Sequence, residues 1–299
     1  MFNPKMMPRP IFLVFLALSL VMVHASNTTR DKPLLSDLKP VIYTYFERIP
    51  ANQRTTGMLD EDDDDLLQFW KASWSSAGWK TVVLTLKDAQ SHPEYMMLQE
   101  GLKELDSFGC VLFHRWMAMA AVGGGWYADY DVFPLRQFPT KLPHNGTMVV
   151  HDIVSPTLAS GDGEQWFATL RALLEDFQRR KRSTSGSRTI FWTDSLGIDS
   201  LLRNLPDNEH APVTSKNVAI PLDRNDPVAS QNPGDCLART FRNKWAVHFG
   251  QNMLQMARHV PPEKRLPKHR LSLAKEWLPR WKQICLQTSN DKISRGGAH

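Results

Sequence analysis

The sequence predicts an α/β fold built on a central, mainly parallel sheet flanked by helices. Two observations carry this: β-branched and aromatic runs that recur with helix-length stretches between them, and Gly and Pro residues that punctuate the boundaries. Composition agrees. A chain of 299 residues, 42% hydrophobic and 22% charged, has room for a sizeable core, which excludes disorder, collagen-like sequence and coiled coil. Three cysteines in this length cannot replace a core. A net charge of +5 is too mild to argue for nucleic acid.

The elements follow in order. Lys5 and Arg9 precede an apolar run from Ile11 to Val23, then His24-Ala25-Ser26, so residues 1–25 read as a signal peptide or short signal-anchor. The run falls short of the roughly 20 residues of a spanning helix. Residues 26–38 read as a polar stem. The rest is expected to face the secretory lumen, in the Golgi or secreted, and the sequons at Asn27 and Asn145 agree. In an oxidising lumen two of Cys110, Cys236 and Cys285 are candidates to pair; the sequence leaves open which.

Residues 39–286 are expected to form one domain. Val41–Phe46 is the first strand. The acidic run Asp60–Asp65 is read as solvated carboxylates at the start of a helix Leu66–Ser76, in preference to a cation site, which would need turn residues between its ligands. Lys80–Leu86 is a second strand. A helix from Ser107 to Val122 ends at Gly123-Gly124-Gly125, an extended stretch runs from Trp126 to Phe133, and Met148–His151 is a further strand. Helices are expected over Trp166–Arg180 and Leu196–Leu205. Between Arg239 and Arg295 thirteen Lys or Arg face only Glu263, Glu276 and Asp291, read as a solvated basic face in preference to a cover for phosphate. Residues 287–299 are expected to be a disordered tail.

The stretch that carries chemistry runs from Phe113 to Asp131. In extended backbone, residues two apart share a face, so Asp129 and Asp131 are expected on one side with Tyr127, and Tyr130 on the other. Paired carboxylates resist ionisation unless a cation or hydrogen-bond donors neutralise them. An oxygen-preferring divalent ion, Mn²⁺ or Mg²⁺, meets that need and leaves positions for phosphate oxygens and water.

The block of Arg115, Gly124-Gly125, Trp126-Tyr127 and Asp129-Tyr130-Asp131 resembles the sugar-binding region of family 32 glycosyltransferases, enzymes of the GT-A superfamily. The resemblance implies a GT-A-like fold and transfer of a hexose or N-acetylhexosamine from a nucleotide-sugar donor to a glycan, glycoprotein or glycolipid, with retained configuration. It implies Asp131 as metal ligand, Asp129 on the ribose or donor sugar and on the metal through water, and Arg115 on the donor sugar or diphosphate. Tyr127 would flank the nucleotide, Thr44 and Tyr45 the nucleoside, and His248, in Lys244–Phe249, the diphosphate and metal. Many members carry an aspartate three residues before the arginine; here that residue is Leu112. Asp162, Glu164 and Asp194 are candidates to replace it or to bind acceptor.

Two rival readings differ in chemistry. A glycoside hydrolase needs carboxylates about 5–9.5 Å apart across a scissile bond, which two acids on one face of one segment do not provide. A lumenal carbohydrate- or nucleotide-binding pseudoenzyme is the alternative that Leu112 suggests.

Overall fold

The computed structural model describes residues 39–286 apart from 55, 143–146, 153–154, 184–190, 205–211, 222–225, 238–240 and 258–259. The expected leader, stem and tail and both sequons, Asn27 and Asn145, lie outside the described residues.

The fold is mixed α/β, with a mainly parallel central sheet flanked by helices. Strand β1 (Val41–Tyr45) leads through helix α1 (Asp60–Ser76) to β2 (Lys80–Leu84), paired parallel to it. Helices α2 (Leu86–Gln90), α3 (Tyr95–Leu102) and α4 (Ser107–Ala121) precede β3 (Gly124–Ala128), parallel to β1 on its other side. After β4 (Val132–Pro134) come β5 (Val149–Val150), β6 (Leu158–Asp162), α5 (Gly163–Ser183), α6 (Asp194–Asn204) and β7 (Val213–Thr214). The large sheet has the order β2-β1-β3-β6-β5-β7, in which β6 alone runs against the rest. With β8 (Val218–Ala219), α7 (Pro227–Ser230), β9 (Ala246–His248), α8 (Gln251–Met256) and α9 (Arg270–Trp281), the chain adds a small sheet β4-β9-β8 and its cover.

Alternation along the parallel strands builds two cores. Ile42, Trp126 and Ala128 join Trp70, Trp74, Phe133, Phe249, Trp277 and Trp281 on one face. Tyr45 and Tyr127 join Phe113, Trp116, Met117, Trp166 and Leu170 on the other. Successive side chains of a strand point to opposite faces, so a sheet covered on both sides reads apolar throughout.

The structure moves several expected boundaries. α1 starts six residues earlier than Leu66, because the acids form its first turn: Asp62 accepts the Leu59 N–H at 2.9 Å, and Arg48 and Arg54 bridge Asp60 and Asp64. These carboxylates favour the positive end of the helix dipole, and part of the run is paired rather than merely solvated. β2 stops at Leu84, since Asp88 accepts the Thr85 N–H at 2.7 Å and opens α2. The stretch Trp126–Phe133 is not continuous: it breaks into β3, a turn over Asp129–Asp131, and β4. Cys236 pairs with Cys285, and Cys110 is free.

The glycine corner needs its glycines. Gly123, Gly124 and Gly125 have φ of 85°, 81° and 132°. A Cβ on Gly124 would lie 2.4 Å from the Asp162 carbonyl carbon and 2.5 Å from Gly161 O, so β3 and the β6–α5 junction meet backbone to backbone. That contact fixes where the following turn begins.

Candidate active site

The Asp129-Tyr130-Asp131 turn joins the two sheets. Asp129 N donates to Thr157 O at 2.8 Å, Val132 N closes the turn onto Asp129 O at 2.9 Å, and Phe249 N reaches Asp131 O at 3.0 Å. The turn thus hangs from the large sheet at one end and from the β4–β9 pair, where Val132 faces His248, at the other.

Each carboxylate has its own arginine. On the first side, Arg115 from α4 donates from Nη1 to Asp129 Oδ1 at 2.8 Å, and the Tyr127 hydroxyl donates to the same oxygen at 2.5 Å. The other arm of Arg115 bonds Asp194 Oδ2, which also accepts from Trp116 Nε1 at 3.1 Å. On the second side, Arg270, the first residue of α9, donates from Nη1 to Asp131 Oδ2 at 2.7 Å. Nε of Arg270 donates to Pro267 O at 3.2 Å, Nη2 lies 2.7 Å from Met58 Sδ, and the guanidinium sits over the Tyr130 ring at 5.7 Å. His248 Nε2 stands 3.4 Å from Asp131 Oδ1.

Residues 129–131 form a turn rather than the expected extended strand, and Tyr130 lies under the same Arg270 that holds Asp131. Its hydroxyl meets Asp63 Oδ1 at 3.4 Å, its ring abuts Phe46, and burial pushes its hydroxyl up to about 12. Asp63 is therefore an acid of the early run that reaches the back of the turn.

Electrostatics split the pair. Burial raises the Asp129 carboxyl above its ordinary value; Arg115 opposes this and the neighbouring Asp131 charge reinforces it. Burial acts the same way on Asp131, but His248 and Arg270 overcome it and hold that carboxyl far below the ordinary range. His248 is raised: burial disfavours the imidazolium, and Asp131 outweighs burial. Side-chain exposure falls in the same order. Asp129 and His248 keep 20% and 16%, against 8% for Asp131 and 3% for Asp194. Asp129 and His248 are the members that face outward.

The other expected residues divide. Tyr45, level with Asp129 in the β1–β3 register, is buried and donates its hydroxyl to Glu47 Oε2 at 2.5 Å; Thr44 is buried with its hydroxyl unpartnered. Both lie inside the fold rather than at a surface a nucleoside could reach. Glu47 also accepts from His114 Nδ1 at 2.9 Å, and Gln99 Nε2 lies 2.7 Å from His114 Nε2, so the end of β1 carries a polar cluster that the sequence did not single out. The Gln165 N–H donates to Asp162 Oδ1 at 3.0 Å and the Asp162 N–H to Gln165 Oε1 at 3.1 Å, which caps α5, while Glu164 is exposed in its first turn. No contact joins either acid to the aspartate turn among the described residues. Asp194 does reach the site, but as the buried partner of Arg115 rather than as a loop acid open to sugar.

Arg270 was missed. It is one of thirteen basic residues in its region and lies 139 positions from Asp131, with no local pattern to mark it.

Two side chains are candidates to hold a divalent ion. Asp131 Oδ1 and His248 Nε2 stand 3.4 Å apart, wider than the about 2.8–3.1 Å between neighbouring donors on an octahedral ion with bonds of about 2.0–2.2 Å, so His248 would have to give up the proton it turns to Asp131 and close on the ion. Arg270 ties the opposite oxygen of Asp131, and outer partners of this kind orient a ligating carboxylate. Asp129 Oδ2 is likewise left over once Arg115 and Tyr127 have taken Oδ1. Among the described residues no three histidine, cysteine or acidic side chains converge as a metal-binding group. A magnesium-like ion is commonly held by one or two carboxylates, with phosphate oxygens supplying the rest. A cavity of about 220 Å³, walled by Val228, Val260, Leu273 and Trp277 with Asp226, Lys264 and Arg280 among its charged residues, lies along α9 and takes in neither Asp129 nor Asp131.

Comparisons with known proteins add little. A family described only as a domain of unknown function (DUF8765) matches residues 24–143. No curated protein matches the sequence. Among solved structures, the chain is similar to a glycosyltransferase involved in the glycosylation of the major capsid of PBCV-1, at 8% identity, covering 77% of this chain and 99% of that one with a TM-score of 0.36. A likeness at that level is too distant to assign a role to any residue of the site.

Proposed function

We propose that the chain is a glycosyltransferase that takes a hexose or N-acetylhexosamine from a nucleoside-diphosphate-sugar donor, with the diphosphate lying against Asp129, Asp131 and His248. One observation carries the reading: each carboxylate of the turn has one oxygen pinned by a buried arginine, and Asp131 turns its other oxygen to the partly exposed His248. Pre-set polar groups of this kind act where charge develops in the transition state and need no reorganisation at that moment.

In this reading Asp131 and His248, with Asp129 Oδ2 nearby, would hold Mn²⁺ or Mg²⁺. The chemistry such an ion supplies is neutralisation of the charge on the departing diphosphate. Asp129 Oδ2, the oxygen that Arg115 and Tyr127 do not take, would accept a donor hydroxyl. Arg115 keeps Asp129 in place rather than contacting donor directly, since both its arms are taken by carboxylates. In the transfer, the bond from the anomeric carbon to the β-phosphate oxygen breaks, the acceptor oxygen takes that carbon, and the acceptor proton leaves with the nucleoside diphosphate. Retention of configuration and a glycan, glycoprotein or glycolipid acceptor are part of the proposal by resemblance alone. We place the protein in the secretory pathway, in the Golgi lumen or secreted; the leader-like N-terminus and the Cys236–Cys285 bond support an oxidising compartment.

The test is thermal stabilisation by nucleoside diphosphates and their sugars, with and without Mn²⁺. A ligand that binds the native state raises its stability by mass action. One nucleotide is expected to stabilise the protein only with the ion, and Asp131→Asn to abolish the shift. An equal response in Asp131→Asn overturns the assignment. A second reading, binding without transfer, draws on buried Leu112, which offers no carboxylate near Arg115. Stabilisation by a nucleotide sugar with no release of nucleoside diphosphate over hours would favour it.

A further inference from the structure

We infer that Arg270 is a built-in counter-charge that keeps a divalent ion from settling on Asp131 until a diphosphate brings its own negative charge. The inference rests on the proposed reading of the site and deepens it by assigning an order to binding. Arg270 is a positioning residue: it acts through Asp131 and touches neither donor nor acceptor.

The geometry is specific. The Arg270 guanidinium is buried, and all three of its nitrogens are engaged: on Asp131 Oδ2 at 2.7 Å, on Pro267 O at 3.2 Å and against Met58 Sδ at 2.7 Å. A side chain held by three separate segments does not swing away at small cost. Its positive charge therefore stays within a few ångströms of any cation on Asp131 Oδ1. Two like charges about 5 Å apart at an effective dielectric of about 20 repel strongly enough to change an affinity by more than tenfold. Arg115 sits on Asp129 in the same way, so the carboxylates offer an incoming cation little uncompensated charge. A diphosphate reverses that balance, because its charge offsets both guanidinium groups and its oxygens complete the ion's shell.

Arginine also discriminates in a way lysine would not. The planar fork reaches Asp131 and Met58 from two nitrogens at once, fixing which oxygen of Asp131 is occupied. Oδ1 is thereby the oxygen left facing His248.

The experiment is a titration of the purified protein with Mn²⁺ alone, read by the paramagnetic resonance signal of the free ion, and then with Mn²⁺ plus a nucleoside diphosphate. Arg270→Gln is expected to bind Mn²⁺ alone at least about tenfold more tightly than the unaltered protein and to gain less from the diphosphate. Arg270→Lys, which keeps the charge, is expected to remain a poor binder of Mn²⁺ alone. Circular dichroism and the melting profile identify a variant that has not folded, and Arg270→Met then serves as a second neutral form. A folded neutral variant that binds Mn²⁺ alone no more tightly than the unaltered protein overturns the inference. The two proposals fail separately. If the unaltered protein never binds Mn²⁺ with any nucleotide while the neutral variant binds the ion alone, Arg270 remains the group that repels the ion, but its release by diphosphate and the transferase reading both fall.

Discussion

Asp129 and Asp131 are two residues apart, yet their supports come from different parts of the chain. Asp129 is held by Arg115, fourteen residues upstream, and by Tyr127 on the same strand. Asp131 is held by His248 and Arg270, which lie on the far side of more than a hundred intervening residues. The first side is built chiefly of helix, glycine corner and strand, with Asp194 of α6 behind Arg115. The second exists only when the β4–β9 pair and α9 have closed over the turn. A short-range motif supplies one half of the site, and tertiary closure supplies the other.

The largest effect that would sharpen this contrast is expected from Arg115→Met. It strands Asp129 and Asp194 together in a buried setting, and removing one partner of a buried ion pair costs about 3–5 kcal/mol. We expect the upper end, about 5 kcal/mol, by urea unfolding. Arg270→Met should fall nearer the lower end, because Asp131 keeps His248. Equal costs would break the comparison. Next comes the double change Cys236→Ser with Cys285→Ser. The bond closes a loop with a sequence separation of 49, for which chain entropy gives about 4 kcal/mol. Hydrogen exchange should then rise across 246–285 and leave 107–128 protected; uniform loss would show that the two halves are not separable.

Gly124→Ala tests the corner that aims the turn. Positive φ and a Cβ 2.4 Å from backbone together should cost about 2–3 kcal/mol, whereas Gly123→Ala, with open space around it, should cost about 1 kcal/mol. The smallest effect concerns pH and lies away from the turn. Asp176 on α5 is buried, yet its carboxyl is held below the ordinary range: burial opposes the charge, and the Ser200 hydroxyl, Arg180 and Trp192 outweigh it. A depressed folded value means the contribution is whole above an unfolded value of about 3.9 and fades as pH falls through the folded one. Asp176→Asn should therefore flatten the acid limb of stability below about pH 4, with less than about 2 kcal/mol lost at pH 7. An unchanged acid limb would remove Asp176 from the account.

What could be read in advance divides along the same line. The first strand, the helix ending at the glycine triplet and the pair of acids were legible because their signals are local: β-branched runs, a glycine triplet, and acids two apart, although the acids were expected on an extended strand. The break within Trp126–Phe133 was not, since aromatic residues suit both a strand and the flanks of a turn. β6, Leu158-Ala159-Ser160-Gly161-Asp162, has small residues that carry no alternation and gains its place from close backbone approach to β3. Asp194 was named as a candidate, but its burial against Arg115 depends on how α6 packs, which no spacing reveals. Thr44 and Tyr45 were placed on the right strand, while the group at its end that keeps partial exposure is Glu47. Arg270 had no signal at all: a cation that turns inward looks the same in sequence as one that faces water.

The Cys236–Cys285 bond has a consequence for how the protein matures. The segment it encloses contains both His248 and Arg270, so a nascent chain that has emerged only as far as α9 possesses every residue around Asp131 but not the tether that gathers them. Reduction of the bond would release the segment that carries His248 and Arg270 from its tether, leaving only packing and the two ion pairs to hold it on Asp131.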